Sequence, residues 1–210
     1  MKLLIACVLV SCLLICGLLA DDKNKEKEGK TVWTFQDDAE GKIAKGFKGE
    51  SGEWKIVTVE GERVLAQQAK NSSSTFNLVL ATDVHAKDVD LGVKMKAVAG
   101  EIDQGGGLVW RARDKNNYYL ARFNPLEDNF RLYKVQDGKR SQFASTDIKA
   151  TPGWHTLRVT MKGERIEYFF DGKKQLEHSD STFKDAGMIG LWSKADAQTY
   201  FDDLTLTALE

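Results

Sequence analysis

The sequence predicts an all-β protein, a jelly-roll β-sandwich of two antiparallel sheets. Three observations carry this. Short runs of alternating apolar and polar residues recur at roughly ten-residue spacing, the pattern of sandwich strands. Turn pairs such as Glu60-Gly61, Asp137-Gly138 and Asp171-Gly172 separate them. No segment sustains the 3.6-residue period of an amphipathic helix.

Taken in order, residues 1–20 read as an export signal. Lys2 gives a positive start, an almost wholly apolar stretch follows, and Ala20 is a small residue before the expected cleavage at Asp21. The alternatives are a retained anchor, or a lipoprotein through Cys12, because Leu9-Val10-Ser11-Cys12 resembles a bacterial lipobox. Residues 21–30 are rich in Lys and Glu without apolar anchors, a solvated linker. The folded domain is expected over 31–209, with strands at 31–35, 54–58, 63–67, 76–80 and 90–96. A central hairpin follows: Gly105-Gly106-Gly107, a strand to Arg113, a turn at 114–117, and a return strand over 118–123. The glycine run marks a tight turn or a close backbone approach. Further strands are read at 130–135, 142–145, 154–162, 165–170, 174–178, 187–193 and 199–207. Pro125 and Pro152 stand near strand ends, where a missing N–H is tolerated.

Composition removes several function classes. The net charge of -1 offers no basic excess to neutralise nucleic acid phosphates. All three cysteines, Cys7, Cys12 and Cys16, lie in the expected signal, so the mature domain would carry no disulfide and no thiolate metal site; with that apolar stretch removed, no transmembrane segment is expected in the mature chain. His85, His155 and His178 lack zinc-ligand spacing, and His155 reads as a satisfied residue at the core edge. No cofactor is required. A structural calcium is the one metal considered, held by Asp38 and Glu40 near the start of the domain and Asp202 near its end.

Period-two alternation assigns faces. Leu108, Trp110, Ala112, Tyr119, Ala121, Phe123, Phe130, Leu132, Ile189 and Leu191 are placed inward. The opposite parity gathers Arg111, Tyr118, Arg122, Arg131, Tyr133, Trp192 and Lys194 onto one outward sheet face. Aromatic rings stack on sugar C–H faces, and Arg or Lys donates to hydroxyls and carboxylates, so such a face suits a glycan, including an anionic one. The same residues also serve a purely structural face, with Arg and Lys stems over apolar surface and Tyr pairing across strands.

No catalytic group stands out. Glu101-Ile102-Asp103 is similar to half of the carboxylate motif of family 16 glycoside hydrolases, but glycines occupy the place of the second Glu, and that chemistry needs a pair. For a hydrolase, acids such as Asp103, Asp114 or Asp196 would lie near the basic-aromatic face.

The segments 107–114, 117–122, 129–133, 153–158, Asp171-Gly172, 191–196 and 200–203 together resemble bacterial secreted concanavalin A-like proteins, the laminin-G-like and 3-keto-disaccharide hydrolase domain families. The resemblance spans nearly all of 31–209. It implies a concanavalin A-like jelly roll, secretion and a sugar substrate. The resulting reading is an exported (periplasmic or extracellular) carbohydrate-binding protein. A glycoside or 3-keto-glycoside hydrolase of the same fold, and a protein-interaction module, are the alternatives.

Overall fold

In a computed structural model, residues 29–209 are described. The expected export signal, Cys12 and most of the linker lie outside them. The described residues form fifteen antiparallel strands in two sheets, with no helix among them. One sheet runs, in spatial order, β13 (Lys173–Ser179), β12 (Arg165–Phe170), β11 (Trp154–Lys162), β6 (Val89–Ala99), β15 (Gln198–Ala208), β4 (Glu62–Gln67) and β3 (Trp54–Val59), with β1 (Lys30–Trp33) also pairing β15. The other runs β10 (Lys139–Asp147), β9 (Asn129–Gln136), β8 (Asn117–Asn124), β7 (Gly106–Asp114), β14 (Gly187–Lys194), β5 (Phe76–Ala86) and β2 (Phe47–Ser51). This is the expected jelly-roll sandwich. β2 went unread because it carries one apolar residue, Phe47, beside a glycine and charges, as edge strands do.

The inward set predicted by parity, Ala112 excepted, fills the space between the sheets. Leu108, Trp110, Tyr119, Phe130 and Leu191 from one sheet meet Val93, Met95, Leu157 and Tyr168 from the other, all essentially inaccessible. The dipeptides Glu60-Gly61, Asp137-Gly138 and Asp171-Gly172 all have positive φ at both residues. That is the conformation that matches hairpin twist, and Gly supplies it without steric penalty. His155 is largely buried, with Nδ1 2.8 Å from Asp171 and Nε2 2.7 Å from the Thr151 carbonyl. It is the satisfied core-edge residue expected.

The glycine run does bring backbones together. A Cβ at Gly107 would lie 1.7 Å from the Ala121 carbonyl oxygen on β8. No side-chain adjustment relieves a clash with backbone, so Gly107→Ala is expected to destabilise by about 3 kcal/mol, the upper end for overpacking. Gly49→Ala is the comparison: its nearest neighbours would be side-chain carbons at 3.6 and 3.7 Å, and a change under about 1 kcal/mol is expected. Urea unfolding of the two variants checks both values.

Candidate functional site

The outer face of the seven-stranded sheet carries the residues that parity turned away from the core. Cross-strand register sets them in rows. Arg131, Arg122, Gly107, Trp192 and Leu78 stand side by side across β9, β8, β7, β14 and β5. Tyr133, Leu120, Val109, Gly190 and Leu80 form the next row. Gly107 contributes no side chain to this row, and its Cα is where the β8 backbone comes close.

Parity was right for Trp192, Tyr118 and Tyr133, but their expected exposure is corrected. Trp192 and Tyr118 are 0% exposed and Tyr133 4%. They form a second apolar cluster with Leu78, Leu80, Val109, Leu120 and Val135, separate from the sandwich core. A covering side chain is part of the reason. Arg140, on edge strand β10, reaches across the face: its guanidinium lies 5.5 Å from the Trp192 ring, 5.2 Å from Phe76 and 4.4 Å from Tyr133. The rings lie beneath it.

Arg111 is a second correction. It sits at a bulge in β7, with φ 47°, and the register to β8 and β14 shifts around it. The extra residue resets the alternation. Ala112 therefore joins the outer cluster instead of the core. Arg111 turns to the edge of the sandwich, donating to the carbonyls of Lys87, Phe183 and Gly163 at 2.6–2.7 Å and to Asp88 at 2.9 Å. It clamps three loops and takes no place on the face.

Arg122 keeps its place in the outer row, but its expected exposure is also corrected: it is 1% exposed. It donates to Asp103 at 2.7 Å and to both oxygens of Glu127 at 3.0 and 3.3 Å. Arg131 reaches the same Glu127 at 2.9 Å and is partly exposed. Burial works against the Arg122 charge, but Glu127 and Asp103 outweigh it and hold its pKa above the ordinary guanidinium value. Lys194 remains on the accessible margin, in register with Phe76.

Polar satisfaction on this face is incomplete. Tyr118 Oη, Trp192 Nε1, Arg122 Nε and Arg140 Nη1 are buried with no hydrogen-bond partner. Burial pushes the Tyr118 phenol far above its ordinary pKa, opposed by the neighbouring Trp192 N–H and the Arg140 charge. That N–H lies near the phenol without completing a hydrogen bond of normal geometry. Buried donors without acceptors are rare in folded proteins, and each costs about 1–3 kcal/mol. Sequence reasoning missed Arg140, Phe76 and Glu127 as parts of this arrangement.

The candidate acids all have structural partners. Asp103 is 1% exposed and accepts from Arg122 and, at 2.6 Å, from the Gly105 N–H. Asp196 accepts from the successive backbone N–H groups of Glu101, Ile102 and Asp103 at 2.7–3.1 Å. Desolvation opposes its charge, yet those N–H groups hold its carboxyl below the usual value. Asp114 closes the β7–β8 turn through Asn116 and Asn117. The calcium set is not brought together. Asp38 accepts the Lys45 N–H, Glu40 accepts the Thr58 hydroxyl, and Asp202 stands beside the Lys94–Asp203 pair. Among the described residues, no three His, Cys, Asp or Glu side chains gather as metal ligands. A separate open cleft of about 380 Å³ lies at the β1 end, lined in part by Trp33, Phe35, Asp38, Lys45 and Asp83.

Two packed antiparallel sheets, of eight and seven strands, define a concanavalin A-like jelly-roll protein. The chain belongs to the 3-keto-alpha-glucoside-1,2-lyase-like domain family, the 3-keto-disaccharide hydrolase family its motifs resemble; the family model matches residues 34–207. A comparison with curated protein sequences finds no match. Among solved structures, the carbohydrate binding module CBM66 from Bacillus subtilis superposes with TM-score 0.67 at 22% identity, covering 78% of this chain and 96% of that one. The beta-glucanase of Bacillus licheniformis gives 0.61 at 11% identity, covering 88% and 100%. The GH43 protein BlXynB of Bacillus licheniformis gives 0.63 at 15% identity, covering 88% and 40%. At these identities the likeness is one of fold.

The hydrogen bonds from Arg122, against burial and with help from Asn129, lower the Glu127 carboxyl from 4.5 to about 2. A depressed carboxylate contributes stability above its unfolded pKa and loses it as pH falls through the folded one. The stability gap between wild type and Glu127→Gln is therefore expected to be constant above about pH 5 and to close between pH 4.5 and 2. Urea midpoints measured across that range check it.

Proposed function

We propose that this protein binds carbohydrate on the outer face of its seven-stranded sheet and acts outside the cytoplasm. The observation that carries the reading is the set of four buried, unpartnered donors on one face: Tyr118 Oη, Trp192 Nε1, Arg122 Nε and Arg140 Nη1. A sugar presents acceptor oxygens around its rim and C–H groups on its faces. It would satisfy these donors and stack on the Trp192 and Tyr133 rings. Arg140, on the edge strand, covers those rings in the free protein, so binding requires its side chain to swing aside. Rotamer changes of this kind are common when an interface forms.

Family membership keeps hydrolysis as the second reading. Against it, Asp103, Asp114 and Asp196 are each engaged in holding turns or Arg122. Export rests on the sequence of residues 1–20, and a sugar-binding surface is consistent with it.

Tyr118→Phe separates stability from binding. Removing an unpartnered buried hydroxyl is expected to leave stability unchanged or raise it. The same change is expected to weaken a glycan identified on a broad array by about fivefold, the equivalent of one hydrogen bond. Thermal unfolding and titration of the variant measure the two quantities, and chromatography of the same mixtures detects any shortened product. Unchanged affinity places the sugar elsewhere; product release identifies an enzyme.

A further inference from the structure

The sequence holds eight arginines, all among the described residues. Seven of them make a side-chain hydrogen bond to a carboxylate or a carbonyl: Arg63 to Gln36, Arg111 to Asp88, Arg113 to Asp185, Arg122 to Asp103, Arg131 to Glu127, Arg158 to Asp90 and Arg165 to Glu167. Arg140 makes none among the described residues, although its Nη1 is fully enclosed. Its guanidinium touches three aromatic rings instead. Cation–π contact offsets part of the lost hydration but supplies no acceptor for the N–H groups. Burial lowers the Arg140 pKa; Tyr133, and to a lesser degree Asp103 and Tyr118, oppose it, while the charge of Arg122 acts with it. Asp103, whose charge reaches Arg140, is committed to Arg122, and Glu127 to Arg122 and Arg131. Arg140 is therefore an enclosed cation on this face with no anion of its own among the described residues.

We propose that the ligand of this face is an acidic oligosaccharide, and that the carboxylate of one of its uronic acid units pairs with Arg140. The proposal rests on the sugar-binding reading above and narrows its substrate class. The guanidinium fork accepts a carboxylate through two parallel N–H···O bonds, a geometry that a neutral hydroxyl cannot reproduce. The two functions of Arg140 fit one motion. Lifted off the rings, it exposes the Trp192 and Tyr133 stacking surface and carries its donors to the rim, where a carboxylate projecting from the sugar ring would meet them.

The test uses oligosaccharides of glucuronate, galacturonate and mannuronate, each paired with its carboxyl-reduced neutral form, titrated into the full folded domain. The acid of at least one pair is expected to bind roughly ten- to a hundredfold more tightly than its neutral form, as a charge-assisted pair confers. Arg140→Gln is expected to bring that ratio to about one, and Arg140→Lys, which keeps charge without the fork, to an intermediate value. Equal binding of both members of every pair would overturn the acidic-ligand proposal while leaving a sugar site in place. A preference that survives in Arg140→Gln would overturn the role of Arg140. If no member of any pair binds and no array glycan binds, the sugar-binding reading itself fails. The wild-type pairs decide the ligand class even if a variant folds poorly.

Discussion

A guanidinium buried without a partner is costly, and Arg122 avoids that cost by drawing two carboxylates from different loops. Asp103 comes from the segment between β6 and β7, Glu127 from the β8–β9 turn. An unpaired charge at this depth would cost several kcal/mol, and removing one partner of such a pair typically costs about 3–5 kcal/mol. Asp103 also holds the Gly105 N–H and receives the Asn124 amide, while Asp196 holds the backbone just before it. The glycine run, the central hairpin and one end of the outer face are thus fixed by a single charge network. Arg131 extends it to the surface through Glu127.

The fold was legible because its signals are local. Alternation and turn dipeptides report strand and hairpin directly, and nearly every expected strand is present. The site was only half legible. Period-two parity correctly separated Trp192, Tyr118 and Tyr133 from the sandwich core, since side-chain direction follows from the pleat. Exposure did not follow, because it depends on what lies across the face, which is not a property of one strand. Arg111 failed for a different reason: one bulged residue inverts the alternation, and nothing in Leu-Val-Trp-Arg-Ala-Arg marks the bulge. Arg140 was within reach of sequence. The Asp137-Gly138 turn sets Arg140 opposite Val135, on the same side as Tyr133. Counting the hairpin register would have placed it there.

The Glu101-Ile102-Asp103 segment shows how a tempting motif dissolves in three dimensions. Its side-chain acid is buried against Arg122, and its backbone N–H groups converge on Asp196. Among the described residues, four of the buried atoms left without a partner, on Tyr118, Trp192, Arg122 and Arg140, belong to residues of the outer face; Asn129 Oδ1 and the core hydroxyl of Tyr168 are the others. The proposed sugar site rests on the four outer-face donors and on the rings beneath Arg140. Family membership says the fold is used on sugars elsewhere; the unpartnered donors are this chain's own argument.

The central claim is that sugar engages the outer face at Trp192. The most direct test is the set of five tryptophan indole N–H signals in a two-dimensional ¹⁵N spectrum. Trp54 and Trp110 donate to Ser51 and Met161 inside the fold, Trp33 lines the separate cleft, and the Trp192 N–H has no partner. With the assignments fixed by single Trp→Phe variants, saturating glycan is expected to move the Trp192 signal most and to leave Trp33 in place. A spectrum in which Trp33 shifts and Trp192 does not would contradict the account and move the site to the cleft beside β1.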